Sequence, residues 1–216
     1  MSAIILVGGK GSRLNQDKCQ LSLAGERVLE KTIQILSEFT NEIILVLSPG
    51  QLSPLPGNHP GIKETVDVYP GRGPLVGLYS GLLQASEPYS LAVACDMPFL
   101  NAKLLRHLLK LSPGFDVVIP RVGDKVEPLH AVYSKNCLYI MQRLLEQGDF
   151  KVSNLLSQVR VRYVEGEELD LLDPGHLSFF NINSPGDLVR AEKLFKEQKG
   201  YGAEHRGGQG EDPGRR

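Results

Sequence analysis

Short apolar runs alternate along this chain with longer segments that carry apolar residues at helical spacing. The short runs are typical of buried strands, and the longer segments are typical of helices that pack on a sheet. The predicted strands are 3–7, 43–47, 64–68, 89–95, 116–120, 129–133, 161–164 and 179–182, and the predicted helices are 28–39, 74–85, 104–111, 138–146 and a last helix from 184–185. This alternation predicts an α/β fold with a mostly parallel sheet and helices on both faces.

The length of 216 residues suits one domain with a substantial core. We expect that domain to span residues 1–198. Residues 199–216 are mostly glycine, charged or polar, and such a segment buries too little apolar surface to fold alone. The sequence therefore predicts a disordered tail over 199–216.

The net charge of −1 argues against a general nucleic-acid binder, which usually carries a basic surplus. No apolar run approaches the length of about 18 residues that a membrane helix needs. Cys19, Cys95 and Cys137 are scattered, without a C-x-x-C pair, which favours reduced thiols over a disulfide framework or a zinc site. These features predict a cytoplasmic protein that contacts neither nucleic acid nor membrane.

The first predicted strand breaks directly into a loop of glycines and cations, since residues 4–18 read IILVGGKGSRLNQDK. Glycine lets backbone N–H groups approach an anion closely, and Lys10, Arg13 and Lys18 add positive charge to the same loop. Neither the P-loop spacing nor the three-glycine dinucleotide spacing occurs here. The sequence therefore predicts a loop that binds a nucleoside triphosphate by another geometry.

Asp96 follows the apolar run 91–95, at the predicted carboxyl end of a strand. Open α/β sheets bind ligands at that edge, and Mg²⁺ prefers carboxylate oxygens and phosphates. A turn or a helix cap is the alternative role for such an aspartate. Together with the cationic loop, the position makes Asp96 our predicted magnesium ligand.

Three further positions are weaker candidates. Asp67 ends a short predicted strand just before a rigid Pro-Gly-Arg-Gly-Pro turn, and its alternative role is loop entry. Arg72 within that turn either approaches phosphate or is a solvated surface residue. His130 begins a predicted strand and either faces a second substrate or is structural.

Asn181 lies in the predicted strand 179–182, and Asn183 follows its end. Because they are two positions apart, both side chains would face the same side of the sheet. Such paired amides can hold a polar ligand, although Asn183 can instead turn or cap the chain. Ser184 and Pro185 then suit the cap and first turn of the last helix.

Together these segments resemble the molybdenum cofactor guanylyltransferase (MobA) family of nucleotidyltransferases over nearly all of residues 1–195. The family pattern LAGGxSxRMGxDKxxL is similar to LVGGKGSRLNQDKCQL at 6–21, although Val7 replaces alanine and residues 14–15 replace Met-Gly. Further similar motifs are PGRGPL at 70–75, CDMPF at 95–99, PLHA at 128–131 and FNINSPGDL at 180–188.

The resemblance implies a three-layer Rossmann-like nucleotidyltransferase fold and transfer of GMP from GTP to the terminal phosphate of molybdopterin, with release of pyrophosphate. It also implies nucleotide contacts at Leu6, Val7, Gly8, Lys18, Asp67 and Asp96, to which we add Gly9 of the same loop. From the residues themselves we expect Lys18, Asp96 and Arg13 to be the catalytic groups. His130, Asn181 and Asn183 are the expected substrate contacts.

Asp96 would bind Mg²⁺, and Lys18, helped by Arg13, would stabilise charge on the departing pyrophosphate. Expected protein partners are molybdopterin-carrying proteins and the recipient molybdoenzymes. Alternatives stay open at this point: a CTP-dependent cofactor cytidylyltransferase, a sugar-phosphate nucleotidyltransferase, and a non-catalytic nucleotide-binding adaptor that delivers cofactor.

Overall fold

A computed structural model describes residues 1–7, 18–57, 59–69 and 71–204, with side chains described as far as residue 197. The strands are β1 Ser2–Leu6, β2 Ser22–Leu23, β3 Glu26–Arg27, β4 Ile43–Leu47, β5 Ile62–Val66, β6 Tyr89–Ala94, β7 Val117–Val122, β8 Lys125–Val126, β9 His130–Ser134 and β10 Val161–Val164. The helices are α1 Val28–Ser37, α2 Pro74–Gln84, α3 Ala102–Leu111, α4 Cys137–Glu146, α5 Val152–Leu156, α6 Glu167–Leu172 and α7 Pro185–Glu204, with short 3-10 turns at Lys18–Gln20 and Leu177–Phe179.

Within the described residues, one sheet has the strand order β10-β7-β9-β6-β1-β4-β5, and β8 pairs with the carboxyl end of β7. β1 pairs in parallel with β4 on one side and with β6 on the other. β9 runs antiparallel to both of its neighbours, so the sheet is mixed but mostly parallel. The chain turns in opposite directions on the two sides of β1, which makes its carboxyl end a topological switch point.

Helices cover both faces of this sheet, as the sequence predicts. Ala3 and Ile5 of β1 pack in a cluster with α1, α3 and α6, whereas Ile4 between them packs with α2, α4 and α5. Neighbouring strand residues point to opposite faces, so one strand contributes to both layers of the core. The arrangement is the three-layer α/β architecture that the family resemblance implies.

Helix α2 lies unusually close to β1 because two of its residues have no side chain. A Cβ atom built on Gly77 would lie 2.7 Å from Leu6 Cδ2, and one built on Gly81 would lie 2.6 Å from Ile4 Cγ2. Both distances are below normal van der Waals contact. The two glycines therefore set the spacing between the start of α2 and the carboxyl end of β1.

Helix α7 closes the domain against its N-terminal part. Ala191 and Phe195 are buried in a third apolar cluster with Leu23 of the short β2–β3 hairpin and Leu21 just before it. The helix begins at a capping box in which Ser184 Oγ donates to Asp187 Oδ2 at 2.9 Å and accepts from the Asp187 N–H at 3.2 Å. The predicted start of this helix is therefore confirmed.

One predicted strand is wrong. Residues 179–182 form no strand: a 3-10 turn ends at Phe179, and Asn181 Nδ2 donates to the Phe179 carbonyl at 2.9 Å. This local hydrogen bond competes with sheet pairing. The Ile182 N–H donates to the Asp96 carbonyl at 3.0 Å, which connects this segment to the turn after β6.

The helical backbone of α7 runs to Glu204, past residue 198, where the sequence analysis ends the domain. The rest of the predicted tail, 205–216, lies outside the described residues. No helix in the described ranges is long and apolar enough to cross a membrane.

Candidate active site

A cavity of about 980 Å³ opens at the carboxyl ends of β1, β4 and β6, at the upper end of the size range of ligand sites. Its wall joins strand ends, the turn before α2 and the segment before α7. The described residues that line it are Leu6, Lys18, Val46, Leu47, Ser48, Pro49, Asp67, Gly71, Gly73, Pro74, Gly77, Ala94, Cys95, Asp96, Leu129, Asn181 and Asn183.

Lys18 reaches the cavity from a 3-10 turn that is fixed by its neighbour Cys19, which is fully buried. Its Nζ donates to Asp96 Oδ2 at 2.5 Å and to Asn183 Oδ1 at 2.6 Å. The Lys18 side chain is 20% exposed and that of Asp96 is 7% exposed, so the ion pair is largely shielded from water. Three residues far apart in sequence therefore meet at one ammonium group.

Asp96 directs its carboxylate to the cavity rather than to a helix end. It lies in the turn after β6. The N-cap of α3 is instead Asn101, whose side-chain oxygen accepts hydrogen bonds from the backbone N–H groups of residues 103 and 104. The Asp96 carbonyl accepts from Ile182, which fixes the turn against the segment that carries the asparagines. The capping alternative for Asp96 is thus removed.

The predicted pairing of Asn181 and Asn183 in one wall is observed, although the strand that motivated it is absent. Asn183 does not cap α7 with its side chain, because Ser184 does so. Instead the Asn183 N–H donates to Asp187 Oδ2 at 3.0 Å, which leaves the amide oxygen for Lys18. Asp187 is thus a positioning residue that the sequence analysis did not identify.

Asp67 lies on the other side of the cavity, after β5. Its N–H donates to the Leu47 carbonyl at 2.8 Å, and its Oδ1 accepts from the Tyr69 N–H at 3.2 Å. Burial raises the pKa of this carboxyl, and hydrogen bonds from Tyr69 and Ser80 oppose the rise. The acid is half-buried at the cavity edge, where an N–H or hydroxyl donor of a ligand would relieve its desolvation.

Leu6 lines the cavity, but much of the neighbouring backbone is already hydrogen-bonded within the protein. The Leu6 carbonyl accepts from the Cys95 N–H at 3.2 Å, and the Val7 N–H donates to the Val46 carbonyl at 3.0 Å. Nucleotide contact by Leu6 and Val7 stays a prediction. The other residues predicted from this loop, Gly8, Gly9 and Arg13, lie outside the described residues.

His130 does not reach the cavity, so its predicted role in facing a second substrate is corrected. The side chain is fully buried, and its ring stacks edge-on against Phe179 with 5.1 Å between centroids. Burial lowers the pKa of His130 to about 3, so the ring is neutral. The preceding residue, Leu129, lines the cavity instead, because neighbouring residues of an extended segment face opposite sides.

Arg72 also points elsewhere: its guanidinium lies over the Phe150 ring, 4.9 Å from the centroid, and does not line the cavity. Ser48 and Pro49, which follow the predicted strand 43–47 and are not among the predicted site residues, do line it. Gln51 ties that loop in place, since its Oε1 accepts from the Ser48 N–H at 3.0 Å. The carboxyl end of β4, next to β1, is the signal that could have identified this wall.

This arrangement suits an anionic ligand that also carries donors. Lys18 provides positive charge, and Asp96 and Asp67 provide acceptors about the cavity. Among the described residues, no group of three or more His, Cys, Asp or Glu side chains converges as a protein-only metal site. One carboxylate together with substrate phosphates is, however, a usual way to bind Mg²⁺.

Comparison with known proteins now identifies relatives of this chain. A family model described as "MobA-like NTP transferase domain" matches residues 3–162. A protein of Pelotomaculum thermopropionicum named "probable molybdenum cofactor guanylyltransferase" is 35% identical over 92% of this chain and 95% of its own length. A molybdenum cofactor guanylyltransferase of Desulfosudis oleivorans is 30% identical over 91% of this chain and 96% of its own.

Solved structures agree. Molybdopterin-guanine dinucleotide biosynthesis protein A of Archaeoglobus fulgidus has a TM-score of 0.78 at 30% identity, covering 91% of this chain and all (100%) of that one. The 2-C-methyl-D-erythritol 4-phosphate cytidylyltransferase of Thermus thermophilus has a TM-score of 0.66 at 21% identity, covering 90% and 98%. At that identity the second likeness concerns the fold alone.

Proposed function

This chain belongs to the MobA-like NTP transferase domain family and is a nucleotidyltransferase, and we propose that it transfers GMP from GTP to the terminal phosphate of molybdopterin, with release of pyrophosphate. Relatives named as molybdenum cofactor guanylyltransferases, which align over nine-tenths of the chain, support this choice of substrates. Delivery of molybdopterin by a carrier protein, and of product to a recipient molybdoenzyme, belongs to the same proposal.

The observation that carries the proposal is the convergence of Lys18, Asp96 and Asn183 at the switch point of the sheet. An ammonium group held there by two oxygens, in an ion pair that is largely shielded from water, can pair with phosphate charge when a triphosphate enters. Electrostatic groups fixed before reaction cost little reorganisation when charge develops. Phosphoryl and nucleotidyl transfers demand mainly alignment and such charge stabilisation.

The donor set fits a bound Mg²⁺. Asp96 Oδ2 and Asn183 Oδ1 converge on the cationic Nζ of Lys18, so the oxygens already create a position that favours positive charge. Carboxylate and amide oxygens are hard ligands of the kind that this ion takes. Asp96 would hold it, and the chemistry that the ion supplies when bound is neutralisation of triphosphate charge.

In the proposed reaction a terminal phosphate oxygen of molybdopterin attacks the α-phosphorus of GTP, and the bond from that phosphorus to the bridging oxygen of pyrophosphate breaks. Lys18 stabilises the negative charge that builds on the leaving group. Asp67, across the cavity, accepts hydrogen bonds from the base or ribose. Asn183 keeps the Lys18 ammonium at the reacting end of the cavity.

A nucleotide panel tests the proposal. Purified protein with Mg²⁺ and molybdenum cofactor is supplied with GTP, CTP, ATP or UTP, and pyrophosphate release is measured. The proposal predicts release with GTP above the other three. Preference for CTP would indicate a cofactor cytidylyltransferase, and nucleotide binding without pyrophosphate would indicate a delivery adaptor; either result contradicts the proposal. Pyrophosphate release that depends on a sugar phosphate would do so too.

Two substitutions connect the activity to the site. Asp96→Asn and Lys18→Met should each lower pyrophosphate release by about 100-fold or more, the scale of losing a key electrostatic group. Lys63→Met is the matched control, because Lys63 forms a 2.6 Å ion pair with Glu42 that is remote from the cavity wall. The control should retain activity, and thermal unfolding of all three variants separates loss of function from loss of fold.

A further inference from the structure

Two buried cysteines meet directly behind the Lys18–Asp96 ion pair. Cys19 Sγ lies 3.9 Å from Cys95 Sγ, and the residues are 76 positions apart in sequence. Cys19 follows Lys18 and Cys95 precedes Asp96, so each sulfur is one residue from a charged group of the site. The third cysteine, Cys137, packs on the opposite face of the sheet.

Small molecules can reach the Cys19–Cys95 pair through the cavity. Cys95 contributes to the cavity wall, although it is only 3% exposed, while Cys19 behind it is fully buried. A molecule the size of water that enters the cavity can therefore reach Cys95 first. Larger reagents would have no comparable approach to Cys19.

We propose that Cys19 and Cys95 are an oxidation site, at which hydrogen peroxide joins the two thiols in a disulfide that inactivates the enzyme. This inference rests on the proposed function for its effect on activity, but not for its chemistry. The contact between the sulfurs is the observation that carries it, since a thiol that becomes oxidised finds its resolving partner already beside it.

The reaction balances with peroxide as the oxidant. Cys95 Sγ attacks one peroxide oxygen, the O–O bond breaks, and a sulfenic acid and one water result. Cys19 Sγ then attacks Cys95 Sγ, the S–O bond breaks, and a second water leaves with the Cys19 proton. Two thiols lose two electrons in total, and one peroxide becomes two waters.

The expected effect on the site follows from geometry. A disulfide requires about 2.05 Å between sulfurs, so the two segments must approach or their side chains must rotate. Lys18 and Asp96 are joined to those segments by single peptide links, and the bond would restrict the movement of Lys18 away from Asp96. Oxidation also removes the Cys19 S–H, which donates to the Val7 carbonyl at 3.2 Å, directly after β1.

The test combines a chemical and a kinetic measurement on the full-length protein. Protein is incubated with excess hydrogen peroxide for hours, because only 3% of Cys95 is exposed. It is then alkylated and digested with trypsin without reduction. Disulfide formation predicts a linked pair of peptides, residues 19–27 and 73–103, that dithiothreitol separates.

In parallel, the rate of pyrophosphate release should fall by at least about tenfold on oxidation, because fewer than about one protein molecule in ten would then remain active. Dithiothreitol should restore the rate. Cys19→Ser and Cys19→Ala should resist the loss, and Cys137→Ser is the matched control that should lose activity like the unmodified sequence. If reduced protein releases no pyrophosphate at all, the proposed function fails while the peptide measurement still decides the disulfide.

Absence of the linked peptides after oxidation overturns the inference. So does a linked product that retains full activity, because the bond would then not inactivate the site. Equal loss of activity in Cys19→Ser would assign the damage to a product other than the disulfide, such as Cys95 sulfenic acid or oxidised Met97, and would also overturn it. Linked peptides together with reversible loss confined to proteins that retain Cys19 would support it.

Discussion

The Nζ of Lys18 lies 2.6 Å from Oδ1 of Asn183, although 165 positions separate the two residues in sequence. Asn183 is held by the first turn of the last helix, and Lys18 by a turn near the start of the chain. The ammonium group that we assign to phosphate binding is thus aimed by a residue from the opposite end of the domain.

Removal of this amide should misdirect Lys18. We expect Asn183→Ala to lower the rate of pyrophosphate release at saturating nucleotide by about 100-fold, the effect of a misplaced reacting group. Asn183→Asp keeps an acceptor for Lys18 and should recover part of that loss. Asn41→Ala, at an exposed position before β4, is the control. Unchanged turnover in Asn183→Ala would show that Lys18 needs no such support.

Asp187 should act on the same site from a greater distance. Asp187→Ala removes the acceptor of the Asn183 N–H and half of the capping box, which should cost about 1 kcal/mol of unfolding free energy. Because Asn183 would lose its support, the rate of pyrophosphate release at saturating nucleotide should fall as well. Urea unfolding and steady-state kinetics measure the two effects. Ser184→Ala, which removes the cap but leaves the bond to Asn183, should lower stability while that rate changes less.

Substitution of the two close-packed glycines of α2 by alanine should have different effects. Gly81→Ala places a methyl group against Ile4 Cγ2, on a branched side chain buried in the core. Overpacking of about 1–3 kcal/mol should outweigh the helix-propensity gain of about 1 kcal/mol, so the free energy of unfolding should fall. A stabilised Gly81→Ala protein would contradict the close approach.

Gly77→Ala instead presses on Leu6 Cδ2, the end of a flexible side chain that borders the cavity. Leu6 can move into the cavity, so we expect little change in the free energy of unfolding but a higher KM for nucleotide. Chemical unfolding and kinetics on the two alanine variants together provide the comparison. Equal effects of both substitutions on stability would rule out this difference between core and cavity.

The buried His130 should make stability depend on pH. Burial lowers its pKa to about 3 in the folded protein, against about 6.5 unfolded, so the unfolded chain binds more protons between these values. Stability contributed by the neutral ring is therefore lost as pH falls below about 6.5, by about 2 kcal/mol at pH 5. Urea unfolding at pH 7 and pH 5 measures the loss.

Replacement of His130 by phenylalanine keeps an aromatic ring against Phe179 and removes the proton-binding group. The difference in unfolding free energy between pH 7 and pH 5 should shrink by about 2 kcal/mol in His130→Phe. His59→Gln, at an exposed position, is the control and should leave that difference unchanged. An equal pH dependence in His130→Phe would mean that another group is responsible.

Much of the fold follows from local patterns in the sequence. The apolar run of β4 and the alternating residues of β10 predict those strands with the observed bounds, and Pro74 marks the start of α2. The short helices α5 and α6 are absent from the prediction, because segments of this length carry less than two full turns of periodicity. Patterns of length and spacing therefore recover most strands of the sheet and its long helices, whereas the strand predicted at 179–182 is wrong and β8 is missed.

Only part of the candidate site can be predicted from the sequence, and the reason differs from that for the short helices. The position of Asp96 can be predicted, because it directly follows an apolar strand and open α/β sheets bind ligands at the carboxyl ends of their strands. The face taken by His130 depends on the exact start of β9, and a shift of one residue exchanges core and cavity. The meeting of Cys19 with Cys95 depends on packing between distant segments, for which no local rule exists.

The packing of Ala191 and Phe195 on Leu21 and Leu23 has a consequence for synthesis on the ribosome. The hairpin that follows Lys18 is translated long before helix α7, which covers it. A growing chain can therefore assemble most of the sheet before α7 packs on this hairpin and Asn183 reaches Lys18. Completion of the cavity wall should thus follow translation of α7.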